Sequence, residues 1–173
     1  MLMSSSNLSI IDGGGLRISS TGVTDGGMIE TIDHYLYGYF ECRAKIQNGR
    51  GLWPGIWIYD KSLVSKPEID IMERIEDSKI ICTTHLNGNM LPKTFTVGDL
   101  STDYHIFAAY WGNGKVVFYL DNVAIWETTT YIPSVPMALM LDLFPDGYLD
   151  GSTSPALFPA HFDIDYFKVW QKK

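Results

Sequence analysis

Cysteine is scarce: the chain of 173 residues has two, Cys42 and Cys82. No Cys/His spacing resembles a zinc site. By strand alternation Cys42 faces away from Glu41 and Arg43, into a core. Both cysteines read as buried free thiols, with a disulfide between them as the alternative. Basic residues are also few, 13 Lys and Arg against 20 Asp and Glu, for a net charge of −7. That balance argues against nucleic acid or an anionic membrane as partner and favours a neutral ligand. A heavily sulfated ligand fits less well, unless a local basic patch overrides the net charge. No apolar run is long enough to cross a bilayer. The opening Met1-Leu2-Met3-Ser4-Ser5-Ser6 lacks the basic and apolar regions of a signal peptide. Internal repeats are absent, and no stretch carries helical periodicity beyond a turn or two.

What is present is aromatic and β-patterned. Five Trp, ten Tyr and eight Phe are more than a β core needs, since aliphatics usually fill it, so some rings must line a surface. The length suits one domain, residues 1–173, with 1–7 expected to be loose. Short strands are predicted over 7–11 and 16–20 around Gly13-Gly14-Gly15, then over 28–32, 37–47, 52–59 and 80–86. Further strands are predicted over 105–111, 115–121, 123–127, 137–144 and 162–171, and residues 87–103 read as loop. Tight turns are expected at Gly112-Asn113-Gly114 and Asp121-Asn122. Strands with Gly/Pro turns and no helices imply an all-β sandwich or jelly roll.

The chemistry concentrates in Lys66-Pro67-Glu68-Ile69-Asp70-Ile71-Met72-Glu73-Arg74-Ile75. The stretch reads as a strand, yet three carboxylates in six residues among apolar neighbours are costly to keep. Alternation puts Glu68 and Asp70 on one face and Glu73 on the other. One extra residue, a β-bulge near Ile71-Met72, would return Glu73 to the face of its partners. Two carboxylates on one groove suit glycoside hydrolysis, and a separation of about 5–5.5 Å between them goes with retention. With four strand steps between them, the Cα atoms of Glu68 and Glu73 would be roughly 13 Å apart, so the side chains must lean inward. The competing reading is a solvated acidic edge strand.

Other segments bear on a ligand. On strand 37–47, Tyr37, Tyr39, Glu41, Arg43 and Lys45 share a face, which is either a binding surface or an ordinary polar exterior. Trp53 and Trp57 share a face of strand 52–59, as core or as platforms for sugar rings. His85 lies on the strand predicted next to the acids, where a lone histidine is more often structural.

Glu68-Ile69-Asp70-Ile71-Met72-Glu73 resembles the active-site signature of glycoside hydrolase family 16, in the bulged form of its laminarinase, agarase and carrageenase branches. Family-like segments flank it in order: Tyr37–Lys45, Gly49–Trp57, Asp103–Trp111, Phe118–Asn122 and Phe162–Gln171. The resemblance covers residues 15–171. It implies a concanavalin-like jelly roll with the cleft on its concave sheet, and a retaining endo-glycosidase. Glu68 would be the nucleophile, Glu73 the acid/base and Asp70 the group that tunes Glu68. It further implies sugar contacts at Glu41, Arg43, Trp53, Trp57 and His85, with Trp111 and Phe144 as weaker candidates. The implied partner is a polysaccharide, first a β-1,3-glucan of laminarin type and second a galactan. A non-catalytic carbohydrate-binding module and a ligand-free structural sandwich are the other readings. Such a substrate implies an extracellular or virion-associated setting.

Departures from the family pattern qualify this. The strand usually found before Gly14-Gly15-Leu16 is missing, which would leave a sheet edge uncovered or covered by an oligomer. No cofactor is required, but many relatives hold a structural calcium through backbone oxygens near the N-terminus and the residue matching Asp165, so calcium there stays open. Asp142 and Phe144 stand where the family commonly has Asn and an aromatic such as Trp. An ionised Asp can only accept a hydrogen bond from a sugar hydroxyl, whereas Asn can also donate. Lys66 stands where some branches carry Trp.

Overall fold

A computed structural model of the chain describes residues 2–60, 64–74, 76–145, 153–154 and 157–172. Its strands are β1 (Leu2–Met3), β2 (Leu8–Ile10), β3 (Leu16–Ser20), β4 (Asp25–Tyr35), β5 (Gly38–Ile46), β6 (Leu52–Tyr59) and β7 (Glu68–Glu73). They continue with β8 (Lys79–Leu86), β9 (Asn89–Thr96), β10 (His105–Gly112), β11 (Lys115–Leu120), β12 (Val123–Thr128), β13 (Met137–Pro145) and β14 (Ala160–Trp170). One sheet runs β1-β4-β13-β6-β7-β8-β9, the other β12-β11-β10-β5-β14-β3-β2. The result is the expected all-β jelly-roll sandwich. Among the described residues, no helix is long and apolar enough to cross a membrane.

Alternation sorts each central strand into a core face and an outer face. On β5, Phe40, Cys42, Ala44 and Ile46 are fully buried while the residues between them are half-buried. On β6, Ile56 and Ile58 enter the core, and Trp53, Trp57 and Tyr59 alternate with the inward positions. β13 contributes Leu139, Leu141 and Leu143 to the same core. Its intervening Met140 and Asp142 are also buried, because the outer face of this sheet is itself covered in part by the side chains of a groove.

The loop reading over 87–103 fails in one place. β9 occupies Asn89–Thr96 and pairs with β8 at the end of its sheet. Most of its side chains are exposed, so it carries no apolar alternation, and Pro92 is tolerated because an edge strand can spare a donor. The missed cue was Asn87-Gly88, both with positive φ, which is the two-residue hairpin chemistry. In the segment read as loose, β1 pairs in parallel with β4, and Ser5–Asn7 forms a 3-10 turn whose Asn7 amide donates to the Gly26 carbonyl at 2.8 Å.

Cys42 and Cys82 are free and fully buried, one in each sheet. Burial pushes both thiols up, away from the reactive thiolate. A thiol-reactive disulfide reagent should therefore find no group in the native protein and two after denaturation. Rapid modification of either native thiol would show that the core is open to solvent.

Candidate active site

The site is assembled by one irregularity in β7. Against β6, Glu73 pairs with Gly55 and Met72 with Ile56, but Trp57 then pairs with Asp70, so Ile71 is an extra residue. Against β8 the same shift falls between Asp70, opposite Thr83, and Glu73, opposite Ile81. Consecutive residues Ile71 and Met72 both join the core, at 2% and 0% exposure. The parity of the strand is thereby reset, and Glu68, Asp70 and Glu73 all emerge on the outer face. Burying two apolar side chains in succession is what keeps the bulge in place. The Cys82 thiol also lies 3.2 Å from the Ile71 carbonyl.

The neighbouring strands complete a groove of about 350 Å³ lined by Trp53, Gly55, Trp57, Tyr59, Glu68, Asp70, Glu73, Asp142 and Phe144. Cross-strand register makes it a grid: Asp142, Gly55 and Glu73 lie in one row, and Met140, Trp57, Asp70 and Thr83 in the next. Tyr59, Glu68 and His85 form the third. The two indoles bind diagonally across these rows. Trp53 Nε1 donates to Glu73 Oε1 at 2.8 Å, and Trp57 Nε1 donates to Asp142 Oδ1 at 2.8 Å. Gly55 sits between the two acids, and a Cβ there would collide with Asp142 Oδ1, so glycine keeps the floor open.

His85 closes the acidic end. Its Nε2 lies 2.8 Å from Asp70 Oδ2 and 3.5 Å from Glu68 Oε1. Glu68 and Asp70 also share a hydrogen bond. Four carboxyl groups in a half-enclosed groove cannot all ionise cheaply. Burial first, then the charge of Asp70, pushes Glu68 up to about 8. Burial, then the charge of Glu73, raises Asp70 well above the usual carboxylate range. Burial also raises Glu73, opposed by the Trp53 indole N–H, which favours its anion. Asp142 is pushed up to about 7 by burial, against the stabilising Trp57 N–H. The Asp70 side chain is 4% exposed against 24% for Glu68. Both acids are therefore held above the usual carboxylate range, and the hydrogen bond between them is one in which a proton is shared.

The remaining sequence candidates lie elsewhere. Glu41, Arg43 and Trp111 were expected to contact sugar, but they belong to the opposite sheet and do not line the groove. Glu41 accepts from the Tyr166 hydroxyl at 2.8 Å, and Arg43 pairs with Asp165 at 2.7 Å over the Tyr104 ring. Both are on the outer face of β5, the ordinary polar exterior of that strand. Trp111 is fully buried, its indole donating to the Pro133 carbonyl at 3.0 Å. Its place in the core follows from alternation with Phe107 and Ala109, a signal present in the sequence. Tyr59 and Gly55 were missed. Tyr59 extends the Trp53/Trp57 face by one more step of two, and its ring lies 5.5 Å from that of Trp57.

Asp165 already accepts from Arg43, so calcium there would compete with a guanidinium. Calcium gathers six to eight oxygens, so a site at Asp165 would need further oxygens besides that carboxylate. Among the described residues, Glu68, Asp70 and His85 could hold a metal ion, one donor atom from each lying within 4.8 Å of the others. The same closeness is what lets them share protons.

The raised Asp142 has a consequence for stability. Its folded pKa lies above that of the unfolded chain, so its stabilising contribution is complete below about pH 4 and lost as pH rises through about 7. Asp142→Asn keeps an acceptor for the Trp57 N–H and removes that loss. The variant should gain little at pH 4–5 and on the order of 1–4 kcal/mol at pH 8, read by denaturant unfolding at both pH values. An equal change at the two would show that Asp142 ionises normally.

Comparison with known proteins agrees with this architecture. The sequence model of Glycosyl hydrolases family 16 matches residues 1–168. Endo-1,3-1,4-beta-glycanase ExsH of Rhizobium meliloti is 30% identical over 155 residues, covering 83% of this chain and 33% of its own length. Glucan endo-1,3-beta-glucosidase A1 of Niallia circulans is 28% identical over 180 residues, covering 85% of this chain and 26% of its own. The chain thus spans about a third or less of the length of these curated relatives. The laminarinase structure from Flavobacterium sp. UMI-01 superposes with a TM-score of 0.86 at 26% identity, covering 98% of this chain and 84% of that one. With its sequence matched almost end to end, and its acids gathered by the bulge in β7, the chain belongs to glycosyl hydrolase family 16.

Proposed function

We propose that the chain hydrolyses a β-linked polysaccharide internally and with retention of configuration, with a β-1,3-glucan as the first substrate to test. The observation that carries this reading is the bulge that delivers Glu68, Asp70 and Glu73 to one groove walled by Trp53, Trp57 and Tyr59. Aromatic walls suit the apolar faces of sugar rings, and the acids suit cleavage between them. A binding module would need the rings but has no use for four desolvated carboxyl groups. The linkage rests on the likeness of the bulged signature and of Trp53-Pro54-Gly55-Ile56-Trp57 to the laminarinase branch, and on relatives named for 1,3-linked glucans.

In the mechanism, a sugar chain lies along the groove with one ring stacked on the indoles. Glu68 and Asp70 share a proton, and the attacking form is the one in which it sits on Asp70, hydrogen-bonded to an ionised Glu68. Glu68 attacks the anomeric carbon and forms a glycosyl ester. Glu73, which burial raises above the usual carboxylate range, gives its proton in its acid form to the departing glycosidic oxygen. Glu73 then takes a proton from water, which attacks the ester and frees Glu68. His85, bonded to Asp70 and near Glu68, holds the pair in register through these changes of charge. Asp142, pushed up to about 7, is largely neutral under mildly acidic conditions and can then donate to a sugar hydroxyl. This restores the capacity that replacing Asn by an ionised Asp would lose.

The reading is tested by reducing-end release from laminarin, mixed-linkage glucan, agarose and carrageenan. Glu68→Gln should abolish turnover, and Glu73→Gln should lower it by about 10²–10⁴-fold. On an aryl glycoside whose leaving group needs no proton, Glu73→Gln should recover formation of the glycosyl ester and Glu68→Gln should not. Activity on agarose or carrageenan alone would move the substrate to galactans. Unchanged turnover in Glu68→Gln would remove its role as nucleophile.

Trp53 offers a separate check. Its N–H favours ionised Glu73, so Trp53→Phe should raise the Glu73 pKa while keeping an aromatic wall. As the acid must be protonated, the alkaline limb of the kcat profile should move up by about 0.5–1 pH unit. A limb that stays in place or moves down would separate Glu73 from the alkaline pKa.

A further inference from the structure

The opposite side of the sandwich carries a second aromatic surface that the proposed chemistry does not use. Trp170 on β14 is opposite Tyr39 on β5, and Tyr39 is opposite Tyr110 on β10. The three residues form one row across three adjacent strands. Each alternates with a core-facing neighbour: Val169, Phe40 and Trp111. Their rings therefore stand on the outer face. Trp170 is 49% exposed and Tyr110 37% exposed, unusual for such large rings in a finished surface. The Tyr39 ring lies 5.7 Å from that of Trp170 and 5.6 Å from that of Tyr119, and it is tilted to both. With strands about 4.8 Å apart, the row spans about 10 Å, the length of a disaccharide.

A concavity of about 570 Å³ opens beside this row, within the range of ligand sites. Asn113, Gln171 and Lys172 line it together with the aromatic rings. Among the described residues, Lys172 is the one charged group that lines it and no carboxylate does, in a chain of net charge −7. Rings interleaved with amides and hydroxyls complement a neutral polyhydroxylated ligand, and Glu41, the next outward residue on β5 after Tyr39, is engaged by the Tyr166 hydroxyl. A nucleic acid would need more cations than one lysine. The catalytic groove uses the same materials, aromatic walls and polar hydrogen-bonding groups.

We propose that Trp170, Tyr39 and Tyr110 form a second, non-catalytic binding platform for a neutral polysaccharide on the sheet opposite the catalytic groove. This rests on the reading of the chain as a polysaccharide hydrolase. Platform and groove belong to opposite sheets, so a short segment of sugar cannot reach both. The platform instead grips a neighbouring strand of a bundled or particulate polysaccharide and raises the effective concentration of substrate at the groove. It is a device for solid substrate and adds nothing on a short soluble one.

The test separates those two substrates. Trp170→Ala and Tyr110→Ala are made in the parent and in the Glu68→Gln background. Retention of the inactive proteins on insoluble β-1,3-glucan particles is measured by co-sedimentation, and hydrolysis of a soluble β-1,3-gluco-hexaose is measured with the active ones. Each platform substitution should weaken retention by about tenfold or more, with kcat/KM on the oligosaccharide and the melting temperature unchanged. Retention equal to that of the parent in both variants would overturn the platform, as would a parent that does not bind the particles. A dimer in sedimentation that Trp170→Ala dissolves would also overturn it, by assigning the surface to a second copy of the chain. If the parent leaves the oligosaccharide intact yet is held on the particles through Trp170, the hydrolase reading fails and the platform stands.

Discussion

The site depends on a single packing constraint, the burial of Ile71 and Met72 in succession beneath β7. A regular strand would send one of these side chains outward and Glu73 inward, placing a carboxylate among Ile56, Ile58 and Cys82. An ionised acid there would cost many times what one apolar contact returns. The extra residue resolves the conflict by giving the core two adjacent apolar side chains and the groove three acids. Fold and chemistry are thus joined at one point in the chain. What the sandwich needs for packing is the same displacement that the groove needs for its third carboxylate.

Once gathered, the acids are controlled by what surrounds them. The indole N–H groups each favour one anion, Trp53 that of Glu73 and Trp57 that of Asp142. Burial works against every anion in the groove, and Asp70, the deepest, is raised well above the usual carboxylate range. In the proposed mechanism, such opposing influences on chemically similar groups are what would let one carboxylate attack while another donates. The tryptophans are donors that tune the acids, and in the proposed function they are also the walls for sugar. Their hydrogen bonds also fix the rings, so that the walls are set before a sugar arrives.

Much of this was legible in the sequence, and the failures share a cause. The strands of the core, the bulge and the Trp53/Trp57 face follow from period-two alternation, which operates within a strand. Alternation says which residues face out, but not which of two sheets they face out from. Glu41 and Arg43 do point outward, yet β5 lies in the sheet opposite β7, and they bond to Tyr166 and Asp165 instead of sugar. Trp111 shows the converse error: alternation with Phe107 and Ala109 already placed it in the core. β9 was missed because an exposed edge strand needs no apolar period, leaving only its Asn87-Gly88 turn as a signal.

The same limit explains why an excess of aromatics could not be divided correctly from the sequence. Their number shows that some must lie at a surface, and the sandwich has two outer faces. Trp53, Trp57 and Tyr59 line a groove with acids at its centre. Trp170, Tyr39 and Tyr110 form a row without any acid among them, beside a concavity with no carboxylate among its described lining residues. On the proposed reading, similar rings placed with and without acids serve two different chemistries, cleavage on one sheet and adhesion on the other. For a hydrolase of a polymer larger than itself these would be complementary. The first face would meet the chain being cut, while the second would meet a strand that merely has to be held nearby.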